Sequence, residues 1–347
     1  MVLLSAGAPT RRAVPPTLPV PTRWYGRSMP APVDAVRRRL RSGAEPAHVG
    51  YVERPALVAD VREEIATSRP DIVHLFGWGT AALHRHLDGV PAVHDAVDPW
   101  SANLSNRTRP SSARAFDLGQ ARRVASHEAK HYPHLAAVVL RSAEDAELLQ
   151  RQVPAAVVRV VPNGVDLPAA GEVTDEPVLA FLGAYDAASN VSAARTLVAD
   201  VLPLVRAHVP GARVLLIGRH PTRALRALDA EVTGGVPDVA TALRRASVLV
   251  TPMFSGHGVK NKVLDAMAAG LPVVTSPLAV QGIGASSGVL VGEGPASLAD
   301  LVVGLLQDPA RRRALGQANR ERAGAELSWA RSAARLEQVW ESCASTS

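Results

Sequence analysis

The sequence predicts an α/β protein made of two doubly wound, parallel-sheet domains. Three observations carry this. The chain has 347 residues, enough for two buried cores. From about residue 50 onward, short apolar runs alternate with longer helical stretches, the pattern of strand–helix–strand units. A glycine-, proline- and acid-containing segment, Pro168 to Pro177, reads as a linker between a sparse first half and a cleaner second half.

The elements follow in order. Residues 6–48, rich in proline and arginine, show no periodicity beyond one helix near Val33 to Leu40. A helix is expected from Pro55 to Ser68. Strands follow at Asp71 to Leu75, Pro91 to Asp95, Leu135 to Leu140 and Val157 to Val161, with helices over residues 112–131 and Ala143 to Gln150. In the second half, strands are expected at Val178 to Leu182, Arg213 to Ile217, Glu231 to Thr233, Val248 to Thr251, Val273 to Thr275 and Val289 to Val291. The intervening helices are Asn190 to His208, Thr222 to Asp229, Val239 to Arg245 and Asn261 to Ala269. Three closing helices run over Pro295 to Leu306, Pro309 to Ala323 and Ser328 to Cys343.

Composition excludes several classes. No apolar run approaches the roughly 18 residues that would cross a bilayer. The first residues lack the basic start and apolar length of a signal peptide. The single cysteine, Cys343, can form neither an internal disulfide nor a multi-thiolate metal site, and cytoplasmic residence is expected. A net charge of +6 invites a nucleic-acid reading, but zinc-ligand spacing and stacking aromatics are lacking, and no nucleic-acid partner is expected. The basic excess is densest at Arg23, Arg27, Arg37, Arg38, Arg39 and Arg41, beside Trp24 and Tyr25. A phosphorylated acceptor or an anionic membrane face could dock peripherally there, although a solvated face is the more ordinary meaning of such a run.

Lysine usage is more informative. Of 38 basic residues only three are lysine, and two of them, Lys260 and Lys262, stand two positions apart. They lie in the loop that follows Val248 to Thr251, which runs from Pro252 to Lys262 and enters the helix Val263 to Gly270. Ligands of open α/β sheets bind beyond the carboxyl ends of strands, where helix N-termini attract phosphate. Gly256 and Gly258 permit close backbone approach, Lys260 and Lys262 supply compact cations, and Asp265 can accept hydrogen bonds from ribose hydroxyls. The chemistry expected is diphosphate and ribose recognition; the alternative is an ordinary loop with Asp265 as a first-turn dipole partner.

At this loop the chain resembles family 4 of the GT-B glycosyltransferases. Those enzymes carry two glutamates around an E-G-F-G loop followed by E-A-M-A-x-G-x-P-V-V. Here the helix reads Asp265-Ala-Met-Ala-Ala-Gly-Leu-Pro-Val-Val274, with His257 at the first acidic position. A subgroup with Asn-Lys before the second acidic residue, as in Asn261-Lys262, is the nearer match. Val161-Pro-Asn-Gly-Val-Asp166, Phe181-Leu-Gly183, Asn190, Leu216-Ile-Gly218, Thr233-Gly-Gly-Val236, Gln281-Gly282-Ile283 and Ser328-Trp329 agree in order and spacing. The resemblance implies two Rossmann-like domains facing across a cleft: an acceptor-side domain over 1–167, a donor-binding domain over 168–327, and a final helix, 328–347, that crosses back to the first. It implies sugar transfer from a nucleotide-diphosphate-sugar donor to a hydroxyl acceptor, with retention and without metal. No cofactor is called for, since the nucleotide-sugar is a substrate. Lys262, Asp265 and His257 become the candidate catalytic residues. Gly183, Asn190, Gly218, Gly235, Val236, Pro252, Gly256, Gly258, Lys260, Asn261 and Gly282 become the donor-binding ones.

Two departures matter. Many family members follow the strand-end glycine with an arginine and a lysine; here the segment Gly183-Ala-Tyr-Asp-Ala-Ala-Ser-Asn190 holds no cation, and Lys260 and Lys262 are expected to replace them. Family members also begin with a strand, a glycine-rich loop and a helix that precede what Met1 to Ala6 resembles, so an N-terminally incomplete first domain is expected. On the acceptor side, His74 and His94 are expected to end successive strands, and His94, Asp95 and Asp98, followed by Trp100, are the candidate acceptor-binding residues. His127, His131 and His134 read as helix-face surface residues with no metal pattern. Two rival functions use the same fold: a sugar-nucleotide 2-epimerase and a non-catalytic binding module.

Overall fold

A computed structural model describes residues 3–6, 22–25, 46, 55–77, 79–105, 111–255, 258–284 and 286–345. The chain divides into two units by its internal contacts. The first comprises residues 1–140, 145–160 and 337–347, and the second comprises 141–144 and 161–336.

The first unit holds two parallel sheets. β1 (Leu3–Ala6) pairs with β2 (Thr22–Tyr25). β2 corrects the sequence reading, which left this segment irregular. Its Thr-Arg-Trp-Tyr run is β-forming in type but too short for periodicity to show. The helix expected near Val33 to Leu40 lies outside the described residues. The second sheet has the order β3 (Val73–Phe76), β4 (Ala92–Val97), β5 (Ala137–Leu140), β6 (Val158–Val160), all parallel. Helix α1 (Pro55–Ser68) opens on proline, whose missing N–H costs nothing at a first turn, and buries Leu57 and Val61 one turn apart.

Short elements that were not foreseen include a 3₁₀ segment, Thr80–His86, and α2 (Trp100–Ser105). Neither is long enough to show a helical period. The start of α2 is fixed by a distant partner, since Glu128 accepts hydrogen bonds from the Ser101 hydroxyl at 2.5 Å and the Ser101 amide at 3.3 Å. Glu128 lies on α3 (Ser111–His131) and is buried. Burial pushes its carboxyl above the usual range, against the Ser101 hydrogen bonds.

The second unit is a six-stranded parallel sheet: β7 (Val178–Leu182), β8 (Arg213–Ile217), β9 (Glu231–Gly234), β10 (Val248–Thr251), β11 (Val273–Thr275) and β12 (Val289–Val291). The spatial order is β12-β11-β10-β7-β8-β9. Leu179, Phe181, Val214, Leu216 and Val250 bury one face while Val178, Ala180, Leu215, Ile217 and Leu249 bury the other. A sheet covered on both sides has no polar face to alternate with, which is why its strands read as continuous apolar runs. The helix expected over Asn190 to His208 starts instead at Ala188 and widens into a π-turn over Leu197–Val201 before resuming at Leu202–Arg206. Pro203 lacks the N–H needed for a regular turn and crowds the carbonyl four residues back, and the wider turn accommodates it.

Candidate functional site

From β7 the chain winds outward through β8 and β9, then returns to place β10 on the other side of β7. The loops that leave β7 and β10 therefore diverge, and the crevice at their carboxyl ends is the switch point at which open α/β sheets take ligands.

The β7 side is built by close backbone approach. The Gly183 amide donates to the Ile217 carbonyl at 2.9 Å, and the Gly218 amide donates to Gly234 at 3.0 Å. Gly218 has φ +144°, and a Cβ there would overlap the Gly183 carbonyl oxygen, so only glycine fits. Gly183 is covered by the Asn190 side chain, whose Nδ2 donates to the Ala184 carbonyl at 2.8 Å.

Lys262 meets this wall from the β10 side. It lies in the first turn of α8, as we number the Asn261–Ala269 helix. Its Nζ donates to Asn190 Oδ1 at 2.6 Å, sits 3.5 Å from Met253 Sδ and lies 4.3 Å from the centre of the Phe181 ring. The ammonium is thus cradled by one amide oxygen, one ring and one sulfur, with no carboxylate in ion-pair reach among the described residues. Burial, and then repulsion from Lys260, pull its pKa from 10.5 to about 7.

Lys260 is buried at the entry to α8, and its Nζ donates to the Gly258 carbonyl at 2.8 Å. No side chain caps this helix among the described residues. Its first amides and two ammonium groups can therefore be offered to one anion. Asp265, one turn in, is half-buried; burial, then the charge of Asp166, raise its pKa to about 6.

The other expected donor-side residues fall around this crevice. Pro252 is buried at the start of the β10 loop and Gly258, at φ +73°, at its end. Asn261 accepts a hydrogen bond from Asn163 Nδ2 at 2.9 Å. Gly282 lies against the Val259 and Ser142 side chains. Gly235 is exposed and Val236 half-buried just beyond β9, on the same edge as Gly218. Gly256 and His257 lie outside the described residues.

Sequence reasoning missed four contributors. Phe181 and Met253 form the lysine cradle, while Asn163 and Asp166 reach Asn261 and Asp265 from the Val161-to-Asp166 motif. That motif was visible as a landmark and was the signal available. Its glycine has a structural duty as well: a Cβ on Gly164 would come within 2.5 Å of the Trp329 backbone. The Val165 amide also donates to Leu327 at 2.7 Å.

In the first unit, the strand-end assignments of His74 and His94 need correction. Both lie inside their strands, because β3 runs on to Phe76 and β4 to Val97. His94 is fully enclosed, against Tyr132 with ring centroids 5.3 Å apart, and burial lowers its pKa to about 3. Asp95 is buried and Asp98 half-buried. His127 and His131 are also buried rather than on a surface, in a chain of rings: His127 to His131 at 4.4 Å, His131 to His84 at 5.4 Å, His84 to His134 at 5.3 Å. Among the described residues no three metal-ligating side chains converge.

A cavity of about 930 Å³ opens at the opposite, amino ends of β7, β8 and β9. Three of its four arginines are paired with carboxylates: Arg206 with Asp229, Arg213 with Glu176 and Arg245 with Glu231, while Arg244 donates to the Ala169 carbonyl. Most of the charge there is paired, whereas the carboxyl edge holds Lys262 with no carboxylate in reach among the described residues, so the carboxyl edge is the better candidate.

Comparison with known proteins assigns the halves. Residues 6–168 match the family described as Glycosyltransferase Family 4, and residues 176–308 match Glycosyl transferases group 1. The chain thus carries a family 4 domain followed by a group 1 domain. It is 31% identical over 205 residues to phosphatidyl-myo-inositol mannosyltransferase of Mycobacterium leprae, covering 54% of each chain. It is 30% identical over 159 residues to a GDP-mannose-dependent monoacylated alpha-(1-6)-phosphatidylinositol monomannoside mannosyltransferase of Corynebacterium glutamicum, covering 41% of this chain and 42% of the relative. The chain spans about half the length of these curated relatives. Among solved structures, sucrose-phosphate synthase from Thermosynechococcus elongatus superposes with a TM-score of 0.67 at 21% identity, over 86% of this chain and 80% of the other. Anabaena HepE in complex with UDP and glucose superposes with a TM-score of 0.63 at 12% identity, over 94% and 86%. The α/β class with parallel sheets in two domains is therefore that of the GT-B transferases, as expected. Among the described residues no helix is long and apolar enough to cross a membrane.

Proposed function

We propose that this protein transfers a sugar from a nucleotide-diphosphate sugar to an acceptor hydroxyl, with the donor in the switch-point crevice of the second unit. The observation that carries the reading is Lys262: an ammonium held over Phe181 with one amide oxygen for a partner, beside Lys260 and an uncapped helix start. Desolvated cations at a helix N-terminus have affinity for an anion that returns the lost charge compensation.

In this reading Lys262, Lys260 and the first amides of α8 stabilise negative charge as the anomeric carbon–oxygen bond breaks and its electron pair passes to the departing diphosphate. The acceptor oxygen forms the new bond and its proton passes to the departing phosphate oxygen on the same face, which gives retention. The ammonium groups supply the neutralisation for which a divalent cation is used at other diphosphate sites, so no metal is required. Asp265, ionised above about pH 6, receives the ribose hydroxyls, with Gly183, Gly218, Gly235, Val236 and Gly282 shaping the base and sugar pocket. His257 is assigned to the sugar by its place in the sequence motif alone, and Asp95 and Asp98 serve the acceptor side. The single cysteine fits a cytoplasmic enzyme.

The relatives guide the choice of donor: one is named for GDP-mannose, and HepE is described with UDP. Thermal unfolding against UDP, GDP and ADP should show stabilisation by one of them, since a native-state ligand stabilises by mass action. Lys262→Ala should abolish turnover with the matching sugar-nucleotide and leave the fold intact. Unchanged turnover would refute the assignment.

A further inference from the structure

We propose that Asp95 is a positioning residue rather than an acceptor ligand: Trp340, on the final helix, sets Asp95 through His74, so that a strained turn at Val97 presents Asp98 to the acceptor hydroxyl. What Asp98 receives rests on the transferase reading; the relay itself does not.

The argument starts at Val97, which has φ +68°. A β-branched residue is rarely found in the left-handed region, and such strain persists only where its surroundings over-determine it. β4 is irregular at the same point, its register with β5 slipping between Asp95 and Val97. What holds the turn is Asp95, whose Oδ1 accepts the Val97 amide at 3.1 Å, while the Asp98 amide closes on the Ala96 carbonyl at 2.8 Å. The other Asp95 oxygen, Oδ2, lies 3.9 Å from His74 Nε2.

The protonation of His74 is settled by Trp340. An indole N–H can only donate, and Trp340 Nε1 donates to His74 Nδ1 at 3.0 Å. A neutral His74 must then carry its proton on Nε2, the nitrogen turned toward Asp95. The two rings meet edge to face, 5.5 Å apart at 77°, which fixes the imidazole plane. His94, the next strand's imidazole, also faces His74 and is kept neutral by its burial. Trp340 and His74 both belong to the first unit, so the last residues of the chain act within the domain that holds the turn. Asp95 is 3% exposed, with Oδ1 held by the Val97 amide and Oδ2 turned toward His74, whereas Asp98, three residues on, remains accessible to solvent. The two carboxylates therefore divide the work.

The test uses the full chain without ligand. Trp340→Phe keeps the aromatic ring and removes the N–H. Nitrogen-15 spectra should then show His74 passing from a single Nε2–H tautomer to a mixture, and hydrogen exchange at the Val97 amide should rise at least tenfold. Asp95→Asn should speed exchange at Val97 likewise, whereas Asp98→Asn should leave it unchanged. Should Trp340→Phe fail to fold, the pair of aspartate variants still decides. An unaltered His74 tautomer in Trp340→Phe, or a Val97 amide indifferent to Asp95→Asn, overturns the relay. Failure of the wild type to bind any nucleoside diphosphate would sink the transferase reading instead, and would leave these spectra to judge the relay independently.

Discussion

Replacing Lys262 by methionine should stabilise the ligand-free protein while removing its affinity for a nucleoside diphosphate. A free lysine titrates at 10.5 and this one at about 7, because its ammonium is withdrawn from water beside a second lysine. Keeping it charged in the fold costs on the order of 5 kcal/mol at most, since partial contact with solvent screens it. The sign follows from proton counting. Between about pH 7 and 10.5 the unfolded chain binds more protons than the native one, so native stability rises with pH across that window and the penalty is greatest below it. Methionine has similar length, keeps the contacts with Phe181 and Met253, and loses only the Asn190 hydrogen bond. Net of that loss, chemical unfolding near neutral pH should show a gain of about 1–3 kcal/mol, shrinking toward pH 10. A charge-assisted hydrogen bond to phosphate contributes about 1.5–3 kcal/mol, so titration calorimetry should show nucleotide affinity falling roughly 10- to 100-fold. A variant less stable at every pH, or one that binds nucleotide as the wild type does, would refute the reasoning.

Three further outcomes are expected. Gly218→Ala should destabilise the second unit by several kcal/mol, about the upper range for single substitutions, because its Cβ would overlap the Gly183 carbonyl; a melting temperature within a degree or two of wild type would contradict this. Asp265 has its pKa raised from 3.8 to about 6, so its contribution to stability is fully present below 3.8 and lost as pH rises through 6. Asp265→Asn should accordingly be more stable than wild type at pH 8 by about 1–3 kcal/mol, yet bind nucleoside diphosphate more weakly. His94, lowered from 6.5 to about 3, stays neutral in the fold while the unfolded chain takes up a proton, so stability is lost as pH falls from 6.5 toward 3. Between pH 7 and 5, unfolding of the wild type should weaken by about 2 kcal/mol more than that of His94→Phe.

How much of this was legible depended on where each constraint lies. The six strands of the second unit stood out because both faces are buried and their apolar runs are unbroken. β2 and α2 did not, being four and six residues long, with α2 anchored by Glu128, 27 positions away from Ser101. The lysine pair was visible because lysine is scarce in an arginine-rich chain. The cradle that gives Lys262 its character was not visible, since Asn190 is 72 positions distant in sequence. Asn163 and Asp166 were seen as parts of a motif, but nothing local tied them to Asn261 and Asp265. His94 was misplaced because the sequence marks a strand's apolar stretch but not the point at which pairing stops: β4 continues through Asp95 to a left-handed valine that no propensity favours.

The most direct test is proton uptake when a nucleoside diphosphate binds. Calorimetric titrations with UDP and GDP at about pH 8, in buffers of different ionisation heat, report the number of protons taken up. If the Thr251-to-Val263 loop receives the diphosphate, Lys262 is mostly neutral before binding and charged after it, and uptake should approach about one proton in the wild type and vanish in Lys262→Met. Tight binding with no uptake, or uptake that persists in the variant, would place the diphosphate somewhere else.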